Sequence, residues 1–370
     1  MDALSATAEG KVRLANLRLA HAKPEEAAGW DEFVERHPEG RFCHLWGYKR
    51  ALEQAYGYQC LYLNILDGEE RIGVFPSIIV RRGQGRLISQ PFNEYGGPLC
   101  LELSGQEQIS LARLLMHAAE AADCSAIEIR GGIGCEGMAE TDVCVRHPLH
   151  SYAVLNLQTE EQLWQNLLTH EARKGVNRAR KAGLTTQVRL GARAAEGPFY
   201  DLYLASMKRL GVPPHPPQFF SELAEGLNQH LVATWVMSRG QPVATLLGAV
   251  TGQRVHIFVT TSDSQAWSMR PNDLAHWELI RWAVSAGLRV FDFGSARYSG
   301  QIQFKKKWGA SLHEYSYYSI GPPAFAALPN GQMTETSSPF MSMMSYLWRR
   351  IVPGRLAGAL GPPIRRYLTK

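Results

Sequence analysis

The densest chemistry in the chain lies between Phe291 and Gly309, FDFGSARYSGQIQFKKKWG. Phe291 and Phe293 flank Asp292 with strand alternation, which sends the carboxylate to the face opposite the two rings. Gly294 is expected to end that strand, and a loop with Arg297, Tyr298 and Gly300 follows. Lys305, Lys306 and Lys307 sit between Phe304 and Trp308, aromatic anchors for a charged run. An acid and several cations thus share one neighbourhood. The acid suits orienting or deprotonating a nucleophile, with pairing to Arg297 or capping the loop as its alternative role. The cations suit a phosphate or a developing oxyanion. Lys306 and Lys307 read as solvated charges or phosphate contacts.

Other chemistries find no residues. The histidines form no H-x-x-x-H or H-E-x-x-H pair, so a metal site is not expected. A G-x-S-x-G nucleophile motif is absent. The six cysteines (Cys43, Cys60, Cys100, Cys124, Cys135 and Cys144) are scattered without C-x-x-C spacing and read as reduced thiols.

The elements that must hold this stretch repeat. Cys60 to Leu66 and Arg71 to Val80 read as an antiparallel pair across Asp67-Gly68, with Pro76 implying an edge or a bulge. Arg86 to Gln90 is a further strand. The loop Pro91-Phe92-Asn93-Glu94-Tyr95-Gly96-Gly97-Pro98 follows, then an amphipathic helix from Ser104 to Ala122 and the strand Ile127 to Arg130. The second half repeats this order: Leu231 to Met237, a turn at Arg239-Gly240, strands Val243 to Val250 and Val255 to Thr261, a helix from Pro271 to Gly287, then Val290 to Phe293. The offset is roughly 165 to 170 residues, which reads as a structural duplication. Ahead of these, Trp30 to His37 and Cys43 to Tyr56 read as short helices. Between the copies, Thr159 to Lys181 is expected to be one helix whose C-terminal half is crowded with Arg173, Lys174, Arg178, Arg180 and Lys181: a solvated face or a phosphate-contacting ridge. A helix ending at Met207-Lys208-Arg209 precedes the stiff loop Gly211-Val212-Pro213-Pro214-His215-Pro216-Pro217.

At 370 residues, about two domains are expected. No run of 18 apolar residues exists and the first residues lack a signal-peptide core, so the expected location is cytoplasmic. The net charge of +5 is unevenly placed. Residues 341–370 hold Arg349, Arg350, Arg355, Arg365, Arg366 and Lys370 with no acid, leaving the rest of the chain at about −1. General nucleic-acid binding is therefore excluded for the body. The tail mixes those cations with apolar residues and reads either as an amphipathic segment on an anionic membrane face or as a helix folded onto the domain.

Four segments together resemble one family: Phe291-Asp292-Phe293-Gly294, the block Phe304 to Gly309, the loop from Ser89-Gln90-Pro91-Phe92 to Gly96-Gly97-Pro98, and RKGVNRARKAG from Arg173 to Gly183. They are similar to the Fem family (FemAB and FemX type), aminoacyltransferases of peptidoglycan bridge formation within the GNAT superfamily. The likeness spans about Trp30 to Tyr318. Around Met207 to Pro213 the chain resembles Fem-like proteins of exopolysaccharide and exosortase (PEP-CTERM) systems. The resemblance implies an α/β (α+β) fold of tandem duplicated GNAT-like acyltransferase domains, each a mixed, mostly antiparallel sheet flanked by helices. Expected boundaries are a lead-in at 1–24, an acceptor-side domain at 25–155, a donor or catalytic domain at 156–322, and a basic tail at 323–370.

It also implies N-acyl or aminoacyl transfer to an amine of a cell-wall or exopolysaccharide precursor. The donor would be an aminoacyl-tRNA or an acyl thioester of coenzyme A or a carrier protein, with no permanently bound cofactor and possible partners in charged tRNA and the inner membrane. A catalytically inactive precursor-binding scaffold is the rival. Carried across, the Phe-Lys pair that handles the donor and transition state falls on Phe304 and Lys305, with Asp292 as the third catalytic candidate. Substrate contacts are expected from Asn93 and Tyr95 in the glycine loop, Lys174 and Arg178 on the basic helix, Arg209 and His215 around the proline-dense loop, and Arg297 and Lys306 beside the lysine block. The coiled-coil arm of some Fem enzymes is missing. So is the glycine-rich pyrophosphate loop of coenzyme-A-dependent relatives, whose place reads Ser268-Met269-Arg270-Pro271-Asn272.

Overall fold

The computed structural model describes residues 16–81, 83, 85–93, 96–131, 135–322 and 339–368. One mixed sheet runs through it. The first half contributes β1 (Leu17–His21), β2 (Gln59–Asp67), β3 (Glu70–Val80), β4 (Arg86–Ser89), β5 (Leu99–Cys100) and β6 (Ile127–Arg130). Then come β7 (Cys144–Asn156), β8 (Thr185–Leu190), β9 (Leu231–Ser238), β10 (Gln241–Thr251), β11 (Arg254–Ser262), β12 (Val290–Ala296) and β13 (Ser311–Ile320). Their order is β1-β2-β3-β4-β6-β13-β7-β12-β11-β10-β9-β8, with β5 beside β3.

The helices are α1 (Ala27–Arg36), α2 (Trp46–Tyr56), α3 (Gly105–Ala121), α4 (His170–Lys181), α5 (Phe199–Leu210), α6 (Pro217–Gly226), α7 (Pro271–Ser285), α8 (Ser299–Lys306), α9 (Pro339–Ile351) and α10 (Gly354–Leu368).

The duplication is real and longer than the sequence implied. β1-α1-α2-β2-β3-β4-α3-β6 corresponds to β8-α5-α6-β9-β10-β11-α7-β12. In each copy an antiparallel meander ends in a strand paired in parallel with the strand after the helix: Leu87 with Ile127, and Val255 with Phe291. The first β-strand among the described residues falls inside the expected lead-in, where Leu17 pairs with Asp67. The last strands of the two copies exchange places. β13 lies against β6, β7 lies against β12, and the two pair with each other in the middle of the sheet.

Local chemistry explains the element ends. Ser104 caps α3 by accepting from the Glu107 N–H while Glu107 accepts from the Ser104 N–H. The turn at Arg239-Gly240, both at positive φ, closes the β9–β10 hairpin. β3 is an interior strand. Pro76 sits where β5, paired at Gly73 and Val74, has ended and β4, paired from Ser77, has not begun.

Three further expectations are corrected. Residues 159–181 are not one helix, because Leu168 is extended and Thr169 caps a new one, its hydroxyl accepting from the Ala172 N–H. Gly294 does not end β12; at φ 72 it bends the strand, which runs on to Ala296. Gly300 lies within α8 and not in a loop.

Candidate functional site

β11 and β12 pair only over Arg254–His256 and Val290–Asp292, then diverge. Their divergence opens a cleft whose walls come from both halves of the chain. A cavity of about 490 Å³ is lined by Phe92 and Asn93 from the first half, and by His256, Phe258 and Thr260 of β11, Phe293 to Ser295 of β12, His276 of α7, and Phe304 and Lys305 of α8. A second cavity of about 380 Å³ continues past the N-terminus of α7, between Glu171, Trp267, Arg270, Asp273 and Lys307. The two share Asn272, Gly300 and Phe304. Beyond the paired stretch β11 and β12 form no further ladder pairs among the described residues.

Lys305 stands at the bend of β12. Its Nζ donates to the Gly294 carbonyl at 2.9 Å and to the Ser295 carbonyl, so the ammonium is fixed at that bend, on the cavity wall. The left-handed Gly294 turns those carbonyls toward it. Phe304 is the wall common to both cavities, with its ring 5.0 Å from His276.

Lys307, read from the sequence as a solvated charge or a phosphate contact, is buried where it lines the second cavity, and its Nζ donates to Asp273 Oδ1 at 2.6 Å. Helical geometry turns it inward while Lys306 points to solvent. Phe92 (φ 69), lining the first cavity, and Arg270 (φ 62), lining the second, are non-glycine residues held in the left-handed region.

Asp292 lines neither cavity. It is fully buried, 3.4 Å from Arg41 and 3.2 Å from Arg254, and accepts from the Gly294 N–H at 2.9 Å. Burial alone would raise its pKa, but His256, Arg41 and Arg254 overcome that and hold it at about 2. Glu39 completes the network, 3.0 Å from Arg41 and 3.6 Å from Arg254. Two acids and two arginines thereby pin the 38–41 loop to the paired ends of β11 and β12. A carboxylate so held is a weak base. The backbone N–H of Arg297 donates to Gln301 Oε1 at 3.0 Å.

The other expected contacts disperse. Asn93 lines the cleft and donates to the Tyr48 hydroxyl at 2.8 Å; Tyr95 lies outside the described residues. Lys174 and Arg178 are exposed on α4, one and two turns along from the cavity-lining Glu171. Arg173 of the same run has a structural task, donating to the carbonyls of Trp164, Gln165 and Leu168. Arg209 stacks on Trp267, a cavity residue, and donates to the Ser262 carbonyl at 3.1 Å. His215 is buried in an aromatic cluster behind Phe92, its ring 4.1 Å from Phe219, and burial holds it neutral. Lys306 is exposed on α8.

Sequence reasoning missed His256 and His276, the two histidines lining the cleft. His256 alternates with apolar neighbours in Val255-His256-Ile257-Phe258-Val259, a polar position on a buried strand and the one available signal. His276 gave none, since its neighbours become visible only when α7 packs on β12. Burial lowers both to about 4. The His276 Nδ1–H donates to the Asn272 carbonyl at 2.7 Å, so the acceptor of the neutral ring is Nε2. Among the described residues no cluster of metal-ligating side chains occurs.

The geometry matches known proteins at the level of domain and fold. Residues 169–306 match the family model described as an acetyltransferase (GNAT) domain. No curated protein sequence matches the chain. The crystal structure of FemX superposes with a TM-score of 0.67 at 14% identity, covering 82% of this chain and 97% of that one. L-PGS from Bacillus licheniformis gives 0.51 at 15% identity, covering 91% and 98%. A tandem GNAT protein from the clavulanic acid biosynthesis pathway gives 0.51 at 10%, covering 82% and 98%. Residues 169–306 thus match a GNAT domain, within a fold similar to those of FemX and the tandem GNAT protein.

Proposed function

We propose that the protein transfers an aminoacyl group to a primary amine of a cell-envelope precursor, a cell-wall or exopolysaccharide intermediate. The observation that carries this is the cleft itself: a donor-side cavity at α7 joined through Phe304 to a chamber that the first half closes with Phe92 and Asn93. In this reading the donor carbonyl lies against β11, and Lys305 stabilises the oxyanion that forms as the amine attacks. His276 Nε2 takes the amine proton. The C–N bond forms as the ester C–O bond breaks, and the proton ends on the released ribose hydroxyl.

Two features support a charged tRNA over coenzyme A as donor. In coenzyme-A-dependent relatives a glycine-rich loop and a helix N-terminus take the pyrophosphate; here Pro271 removes an N–H from that terminus. The carboxylate of Asp273 already occupies its first turn and is neutralised by Lys307. The match to an acetyltransferase model keeps a thioester donor as the second reading.

Labelled aminoacyl-tRNA incubated with the protein and an envelope-precursor fraction is expected to yield a labelled product that ribonuclease pretreatment abolishes. Transfer that survives ribonuclease and requires an acyl thioester would replace the tRNA donor. No transfer from either donor by a folded protein would leave the scaffold reading.

A further inference from the structure

Helices α9 and α10 each fold one face onto α5 and the loop after it and turn an apolar face outward. On the inner side Trp348 and Ala357 are buried. Ser345 donates to the Gly211 carbonyl, Arg349 to the Leu210 carbonyl and Arg365 to the Pro213 carbonyl. On the outer side of α10, Leu356, Leu360 and Tyr367 are about half exposed and recur at i, i+4 and i+11, one stripe of a helix. Met343, Tyr346 and Ile351 of α9 are exposed at 51%, 59% and 68%, and Leu210 at the end of α5 and Val212 in the loop after it extend the surface. Most of the large apolar side chains exposed by the described residues lie here. A helix facing water carries its polar side outward, so this pair is inverted.

Charge selects the occupant. Arg349, Arg350 and Arg366 are exposed around the apolar stripe, and residues 341–370 contain six basic residues and no acid. A second copy would set the same cations against each other with no carboxylate to pair them. We propose that this face docks on an anionic phospholipid bilayer, the stripe entering the boundary between headgroups and acyl chains and the arginines meeting lipid phosphates. No helix among the described residues is long and apolar enough to cross a membrane, so contact is along the surface. Arg365 lies 5.3 Å over the ring of Phe92, a wall of the cleft. Docking therefore sets the acceptor side of the cleft close to the bilayer, suiting a lipid-linked acceptor; that consequence rests on the proposed acyl transfer, while docking does not.

Flotation of the full chain with vesicles of phosphatidylcholine alone, or mixed with phosphatidylglycerol, tests this. Binding is expected to be at least about tenfold stronger to the mixed vesicles and to weaken with salt. The double variant Leu356→Glu/Leu360→Glu should lose it with its circular dichroism and melting temperature unchanged. Absence of binding, equal binding to both vesicles, retention by the double variant, or a dimer in solution that the double variant dissociates would each overturn the proposal. Transfer to a water-soluble amine by the same variant is expected to persist, so a failure of docking is read separately from a failure of catalysis.

Discussion

Lys305 is held by two backbone carbonyls and presented to the cleft, so its removal should affect the transition state more than the fold. Lys305→Met is expected to lower kcat by about 10²–10³-fold with KM little changed. An unchanged kcat in a folded variant would reduce Lys305 to a latch on β12. Asp292 answers to a different measurement. Asp292→Asn removes the fully buried one of the two carboxylates that Arg41 and Arg254 share and is expected to cost about 3–5 kcal/mol in denaturant unfolding. The buried titratable groups also set the acid limit of the fold. Burial holds His44 at about 3 and His256 and His276 at about 4, against an ordinary 6.5. Unfolded chains take up those protons first, so stability falls as pH drops from about 6.5 toward 4. The contribution of Asp292 persists above its ordinary 3.8 and is lost only as pH falls toward 2. Melting temperature followed against pH should therefore decline well above the carboxylate range, and His256→Gln should flatten that slope.

Among the elements, α4 and α7 approach so closely that a Cβ at Gly175 would lie 2.2 Å from Asp273 Oδ2. Gly175→Ala must displace the carboxylate that Lys307 neutralises, with an expected cost of about 1–3 kcal/mol and loss of the donor-side cavity, read as a lower melting temperature and a raised donor KM. Here periodicity misled. Leu163, Leu167, Val176 and Ala179 keep a helical rhythm through residues 159–181, yet the chain breaks at Leu168 because the Thr169 N–H is taken by the Lys307 carbonyl. That partner is far away in sequence, and the Thr169 cap of the new helix was the one local signal of the break. The hairpins and the helices after them were legible because their turns and caps are local chemistry.

At the scale of the molecule the two copies are interlocked. β13 separates β6 from β7, the Glu39–Arg41–Arg254–Asp292 network crosses between the copies, and α2 meets α6 where a Cβ on Gly47 would fall 2.0 Å from the Gly226 carbonyl oxygen. Residues 1–156 and 157–370 expressed apart are expected to be insoluble, and together to form a complex on gel filtration. A stable monomeric fragment would show that the strand exchange is dispensable. The sequence by itself determined the repeated meander-helix-strand unit, the strand carrying Asp292 and the block carrying Lys305, because alternation, turn residues and caps act over a few residues. Only the tertiary structure decided that β7 and β13 trade places, that Lys307 turns inward while Lys305 faces the cleft, that two neutral histidines join it, and that the basic tail shows its apolar side outward. Each depends on pairing between residues more than a hundred positions apart, or on which face of a helix its neighbours cover, and burial and hydrogen bonding settle those only once the chain is folded.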